Sequence, residues 1–221
     1  MEKTSKINLL RTLSEQQRYH DLLHMSIGIE ELAILPLQAL AHANLGNDIE
    51  AKEFYLQTLA IHNKLDIDAL VDLAAVNIVM KQVTKAVALL EDILKEQPQH
   101  SLALARLGYC YLLQDDSQTA LKLYQQSVQI NPNRLSLLHN LIPLYIKQSK
   151  LDDATTSLAM AKGRLATIAK ELPDSVWLRY SQQHNMFQLN IWVVNGNFSY
   201  AERWLRLKEW REDYINNEEI I

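Results

Sequence analysis

The feature that most constrains this chain is a segment that recurs at a nearly fixed spacing. Residues 101–134 read SLALARLGYCYLLQDDSQTALKLYQQSVQINPNR, and related segments lie on both sides of them. A period of about 34 residues, with two helices in each repeat, is typical of a stacked α-solenoid. A unit of this size cannot bury its own apolar face, so neighbouring units must cover it. The sequence therefore predicts an all-α protein built of antiparallel helix pairs.

Small and apolar residues mark the two helices of this segment. They stand three or four apart, at Leu104, Leu107, Gly108 and Tyr111 on the first helix and at Ala120, Leu121, Tyr124 and Val128 on the second. The second helix should end before Pro132, because the residue ahead of a proline avoids the helical region. Gly108 and Ala120 should let the two backbones approach closely, with Tyr111 and Tyr124 filling the space around them.

These residues resemble the tetratricopeptide repeat (TPR), whose pattern runs Trp-x-x-Leu-Gly-x-x-Tyr, then Ala, then an aromatic residue, then Pro. Leu104 stands in the Trp position, and Ser127 replaces a second small residue, an alanine, of the pattern. The resemblance implies a right-handed α-solenoid of about five units. It also implies that the first helices of successive units line a concave groove that binds a protein or a peptide.

The other copies are weaker but in phase. Their anchoring alanines are Ala51, Ala86, Ala120, Ala154 and Ala201, separated by 35, 34, 34 and 47 residues. We therefore predict an N-terminal capping helix and turn in residues 1–31, TPR-like units in 32–173 and a stretched, aromatic-rich helix pair in 174–221. All three belong to one continuous solenoid in this interpretation.

The regions outside the regular repeats carry further predictions. Residues 7–25 read as one amphipathic helix, with Leu9, Leu10, Leu13, Leu22 and Leu23 available for its apolar face. Pro36 should lie in the first turn of a helix, where proline is tolerated, whereas Pro143 falls inside a helix and should bend it. Two long helices are expected over residues 151–172 and 175–194. The aromatic residues that follow Pro173 favour either a larger core or a second contact surface.

Composition excludes several classes of protein. The net charge of −4 and the pI near 6.0 argue against nucleic-acid binding, which requires a basic stripe. No apolar run is long enough to cross a membrane, and no secretory signal follows Met1. A single cysteine, Cys110, precludes an internal disulfide framework. We expect a cytoplasmic protein.

The groove follows from the resemblance, with apolar residues that lie off the stripe used for internal packing. Its predicted lining is Val71, Ala75, Ile78, Val79, Leu102, Ala105, Tyr109, Leu112, Leu113, His139, Pro143 and Ile146, with Arg106 and Asn140 at its edge. The family's clamp for chaperone C-terminal carboxylates is not expected here, because Asp72 and Leu102 replace its Asn and Lys and only Arg106 survives. An apolar helix face indicates an interaction site, unless the chain's own helices cover it.

The sequence gives little support for a catalytic site or a metal site. His20 and His24 are four apart on a helix, a spacing that suits a metal, but no third ligand is evident. Cys110 reads as a small buried residue rather than a nucleophile, and no phosphate-binding or nucleophile motif occurs. We expect a protein that is not an enzyme and has no cofactor.

The sequence thus favours a scaffold that binds a protein or peptide with an apolar or amphipathic segment. Two alternatives remain open: a regulatory domain that senses a peptide, and a chaperone-like holder of an amphipathic secreted segment. The chain ends on Ile220 and Ile221, where solenoids usually have a polar cap. Either a longer polypeptide or self-association through the C-terminal helices is therefore expected.

Overall fold

The computed structural model describes residues 2–29, 31–132, 134–168 and 174–196, and all regular structure in these ranges is helical. Two short 3₁₀ turns occupy Leu32–Ile34 and His62–Lys64. The α-helices, in chain order, are α1 Glu2–Glu15, α2 Tyr19–Ser26, α3 Leu35–Asn44, α4 Asp48–Ala60, α5 Ile67–Val79, α6 Val83–Glu96, α7 Ser101–Leu113, α8 Ser117–Ile130, α9 Leu135–Lys147, α10 Leu151–Ile168 and α11 Asp174–Val194. The prediction of an all-α architecture is confirmed over the described residues.

The turn between the two helices of each pair has one recurring geometry. A residue with positive φ occurs at Gly46, Lys81, Asp115, Ser149 and Gly196, with φ between 58° and 77°. These positions are separated by 35, 34, 34 and 47 residues, the same intervals as the anchoring alanines. After each of the first four, the next N–H donates to the carbonyl five residues earlier, as from Gln82 to Asn77 at 2.8 Å. This is the Schellman motif, which satisfies carbonyls left open at a helix C-terminus.

The N-terminal region was predicted to be a single helix, but the structure has two. Residues 7–25 form no single helix, because Gln17 has a φ of 59° and separates α1 from α2. The N–H of Arg18 donates to the carbonyl of Leu13 at 2.9 Å, so this turn has the repeat's own geometry without its sequence. Leu10, Leu13 and Leu22 are buried against Ile34 and Leu37, whereas Leu9 is exposed. The region therefore packs as a helix pair.

Close packing inside the best repeat depends on small residues. A Cβ on Gly108 would lie 2.9 Å from two ring carbons of Tyr124, which is fully buried. Ala120 is also fully buried, and its carbonyl oxygen lies 3.3 Å from the same point. The hydroxyl of buried Ser127 donates to the carbonyl of Ser101 at 2.8 Å and so links α8 to α7. The predicted close approach of the two helices at Gly108 is confirmed.

The chain divides into two compact units, one with residues 1–132 and 170–176 and the other with residues 133–169 and 177–221. In unit 1, three apolar clusters run along the helix pairs. They are centred on Leu22 and Leu37, on Tyr55 and Val76, and on Leu90 and Leu107. Each cluster draws residues from more than one pair, so the pairs stabilise one another.

The longer helices are α10, which lies in unit 2, and α11, which lies in unit 2 from residue 177 onward. α10 has 18 residues and α11 has 21, against 13 or 14 in α4 to α9, so the expected lengthening is confirmed within the described residues. Pro143 lies inside α9, which continues to Lys147, and its bend stays a prediction. Pro36 lies in the first turn of α3, as predicted. The residues from 197 onward, including Ile220 and Ile221, lie outside the described ranges.

Candidate protein-binding surface

One narrow stripe of α5 and the matching stripe of α7 form the candidate surface. α5 packs against α3, α6 and α7, so few of its positions remain available to solvent or to a partner. On each helix the stripe follows the spacing i, i+4, i+7, i+11, which keeps its residues on one side. We call these eight residues the ladder face: Asp68, Asp72, Ala75 and Val79 on α5, and Leu102, Arg106, Tyr109 and Leu113 on α7. Each α7 residue lies 34 positions after its α5 counterpart.

The N-terminal half of the ladder face is a network of ion pairs. The Asp72 side chain is only 3% exposed, and one of its carboxylate oxygens accepts from both terminal nitrogens of Arg106 at 3.1 and 3.2 Å. Arg106 also donates to the carbonyl of Val71. The second Asp72 oxygen accepts from Nε of Arg11, on α1, at 3.1 Å. These contacts join α1, α5 and α7.

Helix caps connect the same network to the start of both helices. Arg11 Nη1 lies 3.2 Å from Asp68 Oδ2, and Asp66 accepts from the N–H of Ala69 at 2.7 Å as the N-cap of α5. His100 caps α7: its Nδ1 accepts from the N–H of Ala103 at 3.2 Å. Because Nδ1 accepts, a neutral His100 ring carries its proton on Nε2, which then donates to Asp68 Oδ1 at 3.1 Å. Asp72, Arg11 and Arg106 are therefore committed to internal contacts, whereas the carboxylates of Asp66 and Asp68 also face solvent.

The C-terminal half of the ladder face is apolar and open. Val79, Tyr109 and Leu113 are 38%, 41% and 48% exposed, although each is a large apolar side chain. Of the other predicted groove residues, Ala75 packs against the cluster of Tyr55 and Val76, Ile78 and Leu102 pack against that of Leu90 and Leu107, and Ala105 and Leu112 are partly buried. Exposed apolar side chains grouped on one side of a fold mark interaction sites. This open half holds four of the predicted groove residues, Ala75, Val79, Tyr109 and Leu113.

Two predicted groove residues are buried, and the structure corrects their placement. Val71 is fully buried in the cluster of Leu90 and Leu107, because α5 has neighbours on three sides and Val71 faces one of them. A buried Val71 cannot line an open surface. Arg106, predicted at the groove edge, is held by Asp72 and Val71 as described above.

His139, in unit 2, is the second buried residue. Its ring makes edge contacts with Tyr180 and Phe187 of α11, with ring centres 5.1 and 5.7 Å away, and its Nδ1 lies 3.3 Å from Gln183 Oε1. Burial lowers the pKa of His139 to about 4, because the charged ring would lose its hydration. α11 thus covers His139. Asn140 is partly buried and Pro143 is exposed in the same unit.

The sequence singled out three residues for possible chemistry, namely Cys110, His20 and His24. Cys110 is fully buried in the unit 1 core, and burial raises the pKa of its thiol to about 11, so the nucleophilic thiolate is disfavoured at neutral pH. His20 and His24 are both exposed on α2. Among the described residues, no group of three or more His, Cys, Asp and Glu side chains is placed to hold a metal ion. No described helix is long and apolar enough to span a membrane.

Two features of this region were missed by the sequence argument. Nothing in the repeat pattern pointed to Arg11, which lies outside it and meets Asp72 across 61 positions. The second feature concerns Asn77, where the TPR pattern has Tyr. The hydroxyl of Tyr55 lies 2.7 Å from Asn77 Oδ1 and 3.0 Å from Gln82 Oε1, so a tyrosine from the preceding pair supplies the polar contact. A buried amide inside an apolar helix was the available signal, because such groups need partners.

Comparison with protein families identifies the family of this chain. The sequence model of the ChAPs (Chs5p-Arf1p-binding proteins) matches residues 43–162, just over half of the chain. The chain belongs to the ChAPs family. The matched range contains both helices of the ladder face and every helix from α4 through α9.

Individual relatives of this ChAPs chain support the fold. The protein O-mannosyl-transferase Tmtc3 of Drosophila melanogaster is 32% identical over 119 residues, which are 53% of this chain and only 12% of that protein. A match over so small a share carries no inference about transferase activity. Among solved structures, PilF of Pseudomonas aeruginosa has a TM-score of 0.63 at 15% identity, covering 98% of this chain and 95% of its own.

A thermophilic TPR protein of Thermus thermophilus has a TM-score of 0.60 at 16% identity, with 81% of this chain and 97% of its own covered. At such low identity these structures show the fold alone. The prediction of a TPR-like helical repeat is confirmed.

Proposed function

We propose that this ChAPs chain is a non-catalytic scaffold that holds a segment of a partner protein on the open half of the ladder face. The observation that supports this most directly is the exposure of Val79, Tyr109 and Leu113 on one side of α5 and α7. A folded protein gains nothing from leaving three such side chains together in water. Family membership agrees with the proposal, since the family's name records the binding of two proteins, Chs5p and Arf1p.

The energy available from this surface suits a reversible interaction. Burying one large apolar side chain contributes about 1.5–3 kcal/mol before the entropy costs of association. Because Val79, Tyr109 and Leu113 are already more than half buried, covering the rest of each contributes less than this range, so the open half by itself supports a weak contact. A scaffold of this kind exchanges partners instead of forming a permanent complex.

The experiment compares capture of partner proteins by the wild-type chain and by two charge-insertion variants. Leu113→Glu or Tyr109→Glu places a charge in the centre of the open half and should abolish capture from a native lysate. Leu56→Glu is the matched control, because Leu56 is 54% exposed on α4 and lies outside the ladder face. All three variants should keep the wild-type helix content.

The outcome is decided by the contrast between these variants. Loss of the same captured proteins by Leu113→Glu and Tyr109→Glu, with retention by Leu56→Glu, supports the proposal. If all three variants capture what the wild type captures, the open half of the ladder face is not the binding surface. No observation among the described residues favours a peptide sensor or a holder of secreted segments over the scaffold.

A further inference from the structure

The ladder face also carries information about the chemistry of its partner. Its two halves differ in character along the same helices: apolar side chains are exposed at one end, and carboxylates are exposed at the other. Asp66 and Asp68 are 63% and 57% exposed, whereas Arg11 and Arg106 are only 19% and 16% exposed beneath them. A partner that approaches the N-terminal end of α5 therefore meets negative charge first.

The charges in this cluster do not balance. Three carboxylates, those of Asp66, Asp68 and Asp72, lie within ion-pair distance of two guanidinium groups, from Arg11 and Arg106. In the hydrogen-bond arrangement described above, His100 is neutral and adds no charge. Among the described residues of the cluster, one negative charge is thus left over, and it lies on the exposed side.

The structure also contains an example of what this end of the surface binds. Arg11 comes from outside the repeats, and its guanidinium reaches Asp66, Asp68 and Asp72 with nitrogen–oxygen distances of 3.6, 3.2 and 3.1 Å. The three carboxylates therefore share one guanidinium from the inner side, while those of Asp66 and Asp68 remain 63% and 57% exposed to solvent. Planar guanidinium groups and carboxylates match in geometry as well as in charge.

We infer that the partner segment is amphipathic, with apolar side chains over Val79, Tyr109 and Leu113 and an arginine or lysine beside Asp66 and Asp68. This inference rests on the proposed function and adds the chemistry of the segment. The two ends of the α5 stripe are eleven positions apart, or about 16 Å along the helix axis at 1.5 Å per residue. The apolar and basic parts of the partner segment are therefore separated by about 16 Å, which an extended segment spans with about five residues.

The test uses two labelled synthetic peptides of about 16 residues that differ only in charge. Both carry leucines in their first half, and one carries arginines in its second half where the other carries glutamines. Fluorescence anisotropy measures the binding of each to the wild-type chain and to Asp66→Asn/Asp68→Asn. Asparagine keeps the N-cap at position 66 and the hydrogen-bonding shape at position 68, so this variant removes charge and little else.

The wild type should bind the arginine peptide about five- to tenfold more tightly than the glutamine peptide, with the difference fading at high salt, because one or two exposed ion pairs contribute that much. Asp66→Asn/Asp68→Asn should bind both peptides as the wild type binds the glutamine peptide. Leu113→Glu should weaken both.

Equal binding of the two peptides by the wild type overturns the inference, as does a preference that survives in Asp66→Asn/Asp68→Asn or the failure of the arginine peptide to bind at all. The proposed function is judged separately. Suppose that Leu113→Glu loses the captured partners while the arginine and glutamine peptides bind equally well. The scaffold function is then supported, and the inference that the partner segment is basic is wrong.

Discussion

In each half of the ladder face, a residue of α5 has its equivalent in the following repeat on α7, but the two halves differ in how those residues interact. In the N-terminal half, Asp72 and its counterpart Arg106, 34 residues later, neutralise each other and join α5 to α7. In the C-terminal half, the counterparts Val79 and Leu113 are both apolar and both exposed. The repeat thus determines where a side chain lies. Whether that side chain is available to a partner depends on which residue occupies the equivalent position of the neighbouring repeat.

A residue outside the repeats completes this division. Arg11 of α1 contacts Asp68 and Asp72, so the carboxylate of Asp72 is enclosed from the side of α1 as well as from α7. The comparison teaches that the ladder face is not uniform: the buried ion pairs of Asp72 hold the helices together, whereas the exposed apolar side chains and the exposed carboxylates of Asp66 and Asp68 can be reached by a partner. Each prediction below is a way to test that division.

The largest effect is expected from Asp72→Ala. This change leaves Arg11 and Arg106 close together without the carboxylate that they share, and breaking a buried ion pair on one side costs about 3–5 kcal/mol of unfolding free energy. Urea unfolding followed by circular dichroism measures it. Asp68→Ala is the control, because an exposed ion pair contributes about 1 kcal/mol or less. Similar losses from the two variants would mean that the charged half does not hold the helices together.

The second prediction concerns His139, which was predicted to line the groove and is buried by uncharged neighbours, Tyr180, Gln183 and Phe187. Its pKa in the folded chain is about 4, below the ordinary value of 6.5, so the unfolded chain binds the proton more readily. Stability should therefore be intact above pH 6.5 and fall as the pH drops toward 4, by up to about 3 kcal/mol from this residue. His184, whose pKa burial also lowers, acts in the same direction.

The measurement compares urea unfolding of the wild type and His139→Gln at about pH 7 and about pH 4.5. The variant should lose less stability than the wild type between these two conditions, because glutamine has no proton to take up. A wild type and variant that respond equally to pH would show that His139 is not closed off from water by α11 in the way that its contacts indicate.

The sequence predicted the parts of this molecule that depend on local spacing. The period of the alanines, the first-turn Pro36 and the greater length of α10 and α11 all follow from residues close together in the chain, and each agrees with the structure. The break between α1 and α2 did not follow. Gln17 has no strong preference for positive φ, and the turn forms because Leu13 and Leu22 are buried on both sides of it.

The candidate site was predictable in part, for a related reason. Helical spacing places Tyr109 and Leu113 on one side of α7, and both are exposed as expected. It places Val71 near the same side of α5, but its burial depends on packing from α6 and α7. The role of Arg11 depends on contacts across about 60 positions. No local pattern encodes such contacts.

The third prediction tests whether packing beneath α7 sets the position of both halves. Gly108→Ala places a methyl group 2.9 Å from the buried ring of Tyr124, and overpacking of this kind costs about 1–3 kcal/mol. Gly163→Ala is the control, since nothing lies within 4 Å of its added Cβ in α10, and it should gain up to about 1 kcal/mol from better helix propensity. Thermal unfolding of both variants gives the comparison. Equal stabilities would contradict close packing of α7 on α8.

The smallest effect on stability is expected in the open half. Leu113→Glu should change the unfolding free energy by about 0.5 kcal/mol or less, because a surface substitution away from packed contacts removes little. Leu107→Glu, six positions earlier on the same helix, is the contrasting variant: Leu107 is buried in the unit 1 core, and a charge there should unfold that unit. The same denaturation assay measures both. A large loss from Leu113→Glu would mean that this leucine already has a structural task, and the open half would then be another closed part of the surface, with nothing left for a partner to bind.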